Sequence, residues 1–203
     1  MLQFHLSRTL SGDLKKHLSD SLDTDAGAMQ WYGHRVTVMK RKCVLMMELR
    51  SRYCMLFAGL TKQDFDRFPD LFADRLWREV LSICLLDDEH SSQLASLALL
   101  TGEQQRYQLG SNRSIQTHLR QAAEHLHDIA NQQMGRLPQS GEEQFGCGVQ
   151  INETLRKCKG DKDYFVPLDR FRDFWLGMLK FQQTQQAQKK KRVPDNVLPF
   201  RRH

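Results

Sequence analysis

Between residues 34 and 58 the chain reads HRVTVMKRKCVLMMELRSRYCMLFA, and this stretch limits the fold more than any other. Val36 and Val38 alternate with Arg35 and Thr37, the period of two expected of a half-buried strand. Lys40, Arg41 and Lys42 form a polar turn. Cys43, Val44, Leu45, Met46 and Met47 are apolar without alternation, which predicts an inner strand covered on both faces. A second polar turn over residues 48–52 leads to another apolar run, residues 53–58. Three strands joined by short turns predict an antiparallel meander.

The rest of the chain is patterned for helices. Residues 11–22 place Leu14, Leu18 and Leu22 on one helical face. After Gly59, Thr61 and Asp64 have the spacing of a capping arrangement, and Pro69 suits the first turn of a longer helix carrying Phe72, Leu76, Val80 and Ile83. The acids Asp87, Asp88 and Glu89 belong at the start of the next helix, residues 91–100. Residues 105–109 are expected to be an edge strand. Asn112 or Ser114 then caps a helix whose stripe is Ile115, Leu119, Ala122, Leu126 and Ile129. Residues 135–148 read as a loop by composition, with a further strand near Val149. A last helix over residues 169–181 buries Phe171, Phe174, Trp175 and Met178.

The expected fold is α+β: an antiparallel sheet of three to five strands packed against four or five helices. Residues 1–29 form an N-terminal helical segment, residues 30–181 the α+β core domain, and residues 182–203 a basic, flexible tail. The chain is long enough to bury a core without disulfides or metal. Its five cysteines are odd in number and lack C-x-x-C spacing. That favours a reducing, cytoplasmic setting over a disulfide framework or zinc site. No apolar run approaches the ~18 residues of a membrane helix, and the N-terminus has no charged segment leading an apolar one, so no signal peptide and no membrane association are expected.

The net charge of +6 is unevenly placed. The tail carries six basic residues and one acidic residue, so its share is +5 and the body is close to neutral. General attraction to polyanions is therefore expected mainly from the tail. A second basic group lies in the meander: Arg35, Lys40, Arg41, Lys42, Arg50 and Arg52, expected at one end or edge of the sheet. Trp31, Tyr32 and Tyr53 lie near them in sequence, and cations interleaved with exposed rings suit single-stranded nucleic acid. Trp31 is expected to fold under the sheet, whereas Tyr32 and His34 face either way. The candidate nucleic-acid-binding residues are thus Tyr32, His34, Arg35, Lys40, Arg41, Lys42, Arg50, Arg52, Lys189, Lys190, Lys191 and Arg192.

Phosphate-loop, dinucleotide-fold, zinc-protease and serine-hydrolase motifs are absent. His118 and His125 are seven residues apart, about 10 Å along a helix, too far to share an ion easily. Carboxylates for a metal-dependent nuclease would have to come from Glu48, Asp64, Asp66, Asp87, Asp88 and Glu89, which have no recognised spacing. Cys147 could pair with a histidine as a nucleophile, with no supporting motif.

The string WYGHRVTVMKRKCVLMMELRSRYCMLFAGLTKQDF resembles the N-terminal core of a bacterial domain family of unknown function. GSNRSIQTHLRQAAEHL resembles a second shared segment, and INETLRK with YFVPLDRF a closing one, so the likeness spans residues 30–175. His34 stands where many relatives have Asn. The resemblance implies a compact prokaryotic α+β domain and supplies no reaction, cofactor or catalytic residue. The functional expectation is a non-enzymatic adaptor or regulator in a nucleic-acid-associated prokaryotic assembly. It would have a protein partner, would reach DNA or RNA through the basic turns and tail, and would need no cofactor. The alternatives are a metal-dependent nuclease and a purely protein-binding subunit.

Overall fold

The computed structural model describes residues 1–19 and 27–192, with side chains described through residue 188. In chain order the elements are β1 (Leu2–Leu6), α1 (Arg8–Asp13), a 3-10 turn (Lys15–His17), β2 (Met29–Val38), β3 (Arg41–Glu48), β4 (Cys54–Leu60), α2 (Lys62–Asp66), α3 (Phe68–Cys84), α4 (Asp88–Glu103), β5 (Gln105–Leu109), α5 (Arg113–Asp128) ending in a π-turn (Ile129–Met134), α6 (Gly141–Glu153) and α7 (Pro167–Arg192).

The strand order is β4-β3-β2-β1-β5. The meander β2-β3-β4 is antiparallel as its pattern predicts, and β5 is the expected edge strand. The sheet as a whole is mixed, which corrects the antiparallel expectation. β1 runs parallel to β2 on one side and to β5 on the other. β1 escapes the sequence reading because LQFHL is short and places Gln3 and His5 among its apolar residues. Yet all five of its residues are buried.

Two layers of helices cover the sheet. On one face Phe4, Trp31, Met46, Met55 and Phe57 meet Phe68, Phe72 and Leu76 of α3, Leu94 of α4, and Phe171 and Trp175 of α7. On the other, Cys43, Leu45, Met47 and Leu56 meet Ile115, Leu119 and Leu126 of α5 and Ile151 of α6. The non-alternating β3 is thus buried from both sides, as continuous apolar strands require. Trp31 is fully buried between β1 and α3, edge-on to Phe72 at 5.1 Å. Gly33 admits α1 against β2: a Cβ there would lie 2.6 Å from Leu10 Cδ2 and 2.8 Å from Met46 Sδ.

Three local expectations change. Of the helix expected over residues 11–22, the described part is instead the end of α1, a 3-10 turn and a bridge from Leu18 to Tyr107, and residues 20–22 lie outside the described residues. The loop over residues 135–148 contains the start of α6, capped by Ser140, whose Oγ accepts from Glu143 N at 3.0 Å; the strand near Val149 is part of that helix. The tail is helical as far as Arg192, where α7 ends, and residues 193–203 lie outside the described residues.

α6 also protects the edge of β4. Asn152, fully buried, accepts from Cys54 N at 2.7 Å through Oδ1 and donates from Nδ2 to Cys54 O at 2.9 Å and Gly148 O at 2.7 Å. One amide thereby pairs with the strand edge as a neighbouring strand would, and an exposed backbone template is closed.

Candidate functional site: a cleft at the start of α5

The helical layer over the second face stops short of β1 and β5. There the sheet presents Gln3, His5, Tyr32, His34 and Gln108 rather than aliphatic residues. The period of two sends Tyr32 and His34 to the same face. The register sets His5 beside Tyr32 and Gln108 beside His5. The His5 and Tyr32 rings stack at 4.5 Å with planes 15° apart. Gln108 Nε2 lies 3.1 Å from His5 Nδ1. With the amide donating, the imidazole proton sits on the buried Nε2, and the Gln30 side chain lies within reach of the ring.

The chain turns over this floor immediately after β5. Gly110 presses on the imidazole, and a Cβ at this position would lie 2.6 Å from His5 Nδ1. Asn112 caps α5, its Oδ1 accepting from Ser114 N at 3.0 Å and Ile115 N at 3.2 Å. Its side chain also bonds the Tyr32 phenol. The result is a cleft of about 370 Å³ at the C-terminal ends of two parallel strands and under a helix N-terminus. His5, Tyr32 and His34 form its floor, and Arg113, Gln116, Thr117 and Arg120 form its wall. Crevices at the carboxyl ends of parallel strands are a recurrent place for ligands.

The electrostatics are one-sided. Among the described residues no Asp or Glu lines the cleft. Burial holds the His5 and His34 pKa values below 6.5, Arg35 adding to the effect at His34, so both rings are neutral at pH 7. Burial raises the Tyr32 pKa, so it remains a phenol. Positive charge comes from Arg113 and Arg120, both exposed; among the described residues the ion pairs that form leave these two out. The partial positive charge of the α5 N-terminus adds to theirs. The cleft therefore offers neutral donors, a stacked ring pair and two guanidiniums that no carboxylate of the described residues pairs.

Of the residues singled out from sequence, Tyr32 and His34 are here, both half-buried and facing the cleft. The others are dispersed. Arg35 and Lys42 both pair with Asp13, at 3.2 and 2.7 Å. Arg41 donates to Gly59 O at 3.1 Å. Lys40 is exposed in the β2–β3 turn and Arg50 in the β3–β4 turn. Those turns are at opposite ends of β3, roughly 26 Å apart for eight residues. Consecutive hairpins of a meander must alternate ends, so the six cations do not share one edge. Arg52 is buried, 7% exposed, and points into the protein. Lys189, Lys190, Lys191 and Arg192 form the last turn of α7.

The carboxylates considered for a metal are occupied separately. Glu48 Oε2 accepts from Arg50 N, Ser51 N and Ser51 Oγ and holds the β3–β4 turn. Asp64 completes a capping box with Thr61, Asp66 pairs with Lys16 at 2.8 Å, and Asp87 caps α4, with Asp88 and Glu89 in its first turn. Among the described residues no three His, Cys, Asp or Glu side chains converge as metal ligands would. Cys147 is buried 3.7 Å from Met134 Sδ, and burial pushes its thiol pKa up.

Sequence reasoning missed His5, Gln108, Arg113 and Arg120. His5 and Gln108 become visible only once β1 is known to be a strand beside β5. Arg113 and Arg120 carried a usable signal: they lie seven residues apart, on one face of a helix whose apolar stripe was already clear. Among the described residues no helix is long and apolar enough to cross a membrane.

Neither a curated protein nor a solved structure matches the chain. The sequence profile of a domain of unknown function, DUF6933, matches residues 3–170. That span runs from the second residue of β1 to the first residues of α7 and takes in β2, β3, β4, β5 and the lining of the cleft. The chain therefore belongs to the DUF6933 family of domains of unknown function.

Proposed function

We propose that this protein is a nucleic-acid-associated adaptor or regulator whose cleft takes a phosphorylated nucleotide of a single strand. The observation that carries the proposal is the cleft itself, which among the described residues is lined by no carboxylate and has Arg113 and Arg120 outside every ion pair, beside the stacked His5–Tyr32 rings. Free guanidiniums favour phosphate oxygens. An aromatic ring at the edge of such a groove offers a base a stacking surface whatever its identity. Neutral imidazole and hydroxyl donors (His34, Ser7, Thr117) can orient a sugar or phosphate without adding charge. Lys40, Arg50 and the basic end of α7 would add weak, sequence-independent attraction. The adaptor part of the reading is supported by Leu99 and Leu100 on α4 and Phe181 on α7, large apolar residues exposed to solvent and available to a protein partner.

The test is fluorescence anisotropy with a 5′-phosphorylated single-stranded 12-mer, as DNA and as RNA, across a salt series. Arg113→Ala with Arg120→Ala should weaken binding at least about tenfold and flatten the salt slope by about 1.4, two phosphate contacts at roughly 0.7 each. Tyr32→Ala should weaken it by roughly tenfold through lost stacking. Binding by both variants at wild-type strength would refute the assignment of the cleft. Cleavage of the 12-mer with Mg²⁺ that EDTA abolishes would replace the adaptor reading with a nuclease one.

A further inference from the structure

The helical wall of the cleft is ordered along its length. Arg113 opens α5, and Arg120 follows two turns later, about 10 Å along the axis. Both side chains are exposed and both line the cleft. Gln116 and Thr117 line the turn between them. Each lies three or four residues from either arginine, so each is a surface neighbour of both. Along the helix the wall therefore reads cation, amide and hydroxyl, cation. Thr117 Oγ1 donates to Arg113 O at 3.2 Å, which leaves its lone pairs to accept a hydrogen bond from outside.

A single phosphate matches this row badly. To share it, the two guanidiniums would have to fold towards each other across Gln116 and Thr117, bringing like charges together. Among the described residues no carboxylate lines the cleft to offset that repulsion. Two phosphates separated by a sugar meet each cation where it stands, and each guanidinium gains its own charge-assisted pair. The neutral middle of the row then faces the sugar. Across from it lies the floor, where Tyr32 is stacked on His5 and its phenol is bonded by Asn112, the residue that precedes Arg113. At about 370 Å³ the cleft is at the small end of ligand pockets, with room for one nucleotide unit rather than a run of them.

Resting on the nucleotide assignment of the cleft, we propose that it takes a nucleotide unit phosphorylated on both its 3′ and 5′ oxygens. Arg113 holds one phosphate and Arg120 the other, the sugar lies along Gln116 and Thr117, and the base lies on Tyr32. An internal nucleotide of a strand and a free nucleoside 3′,5′-bisphosphate share this chemistry. Isothermal titration calorimetry of the full chain with adenosine 3′,5′-bisphosphate, 3′-monophosphate and 5′-monophosphate tests it. The bisphosphate should bind at least about tenfold tighter than either monophosphate. Arg113→Ala should lose that advantage over one monophosphate, and Arg120→Ala should lose it over the other. Both side chains are exposed, so the variants should melt with the wild type. A bisphosphate that does not bind, or that binds within about twofold of the tighter monophosphate, would overturn the proposal. So would loss of the advantage over the same monophosphate in both variants. If the ligands bind equally but the double variant Arg113→Ala, Arg120→Ala weakens them all, only the two-phosphate arrangement falls. If the double variant binds them like the wild type, the nucleotide assignment falls with it. A single-stranded 12-mer without a terminal phosphate separates the two sources. Binding that each single variant weakens identifies an internal nucleotide and supports the site. Binding of the bisphosphate but not the 12-mer also supports the site, with the free nucleotide as its ligand, and refutes the strand.

Discussion

Replacing Asn152 with Leu tests how the outer strand of the meander is held. The side chain makes three hydrogen bonds, two of them to the backbone of Cys54 on β4 and one to a carbonyl of its own helix. Leucine keeps the branched shape and the number of side-chain heavy atoms while every one of these bonds is lost, and its bulkier methyl groups add crowding to the loss. Gly148 O retains its place in the α6 ladder and is not left bare. Cys54 N–H and C=O are, and each buried, unsatisfied group costs about 1–3 kcal/mol. The expected destabilisation is therefore about 3–5 kcal/mol, and the melting temperature should fall by roughly 6–15 °C for a domain of this size. Urea unfolding monitored by tryptophan fluorescence gives the free energy directly, since Trp31 and Trp175 are fully buried. The slope with denaturant should not change, because the surface exposed on unfolding is the same. Asn152→Asp keeps the acceptor and loses the donor, and it also buries a charge, so it should not rescue. A loss below about 1 kcal/mol in Asn152→Leu would refute the reasoning. It would mean that β4 satisfies its edge in some other way.

Other outcomes follow from the same structure. Glu79→Leu should cost about 3–5 kcal/mol by leaving Arg75 buried without its partner. Glu79 accepts from Tyr53 Oη at 2.8 Å and Arg75 Nε at 3.0 Å, and chemical denaturation would measure the loss. Gly110→Ala drives a Cβ into His5. It should break the His5–Tyr32 stack, cost about 1–3 kcal/mol, and abolish any ligand binding in the cleft as seen by anisotropy. The pH dependence follows from His118, whose folded pKa of about 4 lies below its unfolded value of about 6.5. The unfolded state takes up the proton first, so this contribution is complete above pH 6.5 and is lost as pH falls towards 4. The wild type should lose about 2 kcal/mol more than His118→Gln between pH 7 and pH 5. Parallel loss in both proteins would contradict it.

The amino-acid sequence by itself determined whatever depends on neighbours along the chain. The alternation at Val36 and Val38, the unbroken apolar run Cys43–Met47 and the stripe from Ile115 to Ile129 each report the face an element must bury, and all are realised. Caps at Thr61, Asp87 and Asn112 are equally local, since each side chain bonds a backbone amide within three residues. Tertiary structure decided which strands became neighbours. β1 is five residues long and carries Gln3 and His5, so nothing in its periodicity marks it as the strand between β2 and β5. Its placement turns an antiparallel meander into a mixed sheet, stacks His5 on Tyr32, and leaves a cleft under α5. The same is true of charge. A cluster of cations in the sequence separates because hairpin turns alternate ends, Asp13 neutralises two of them, and Arg52 is drawn inward to Ser114, which lies 62 positions later in the chain. Secondary structure follows local spacing. The cleft and the burial of Arg52 depend on contacts between distant segments, and only the folded chain brings those segments together.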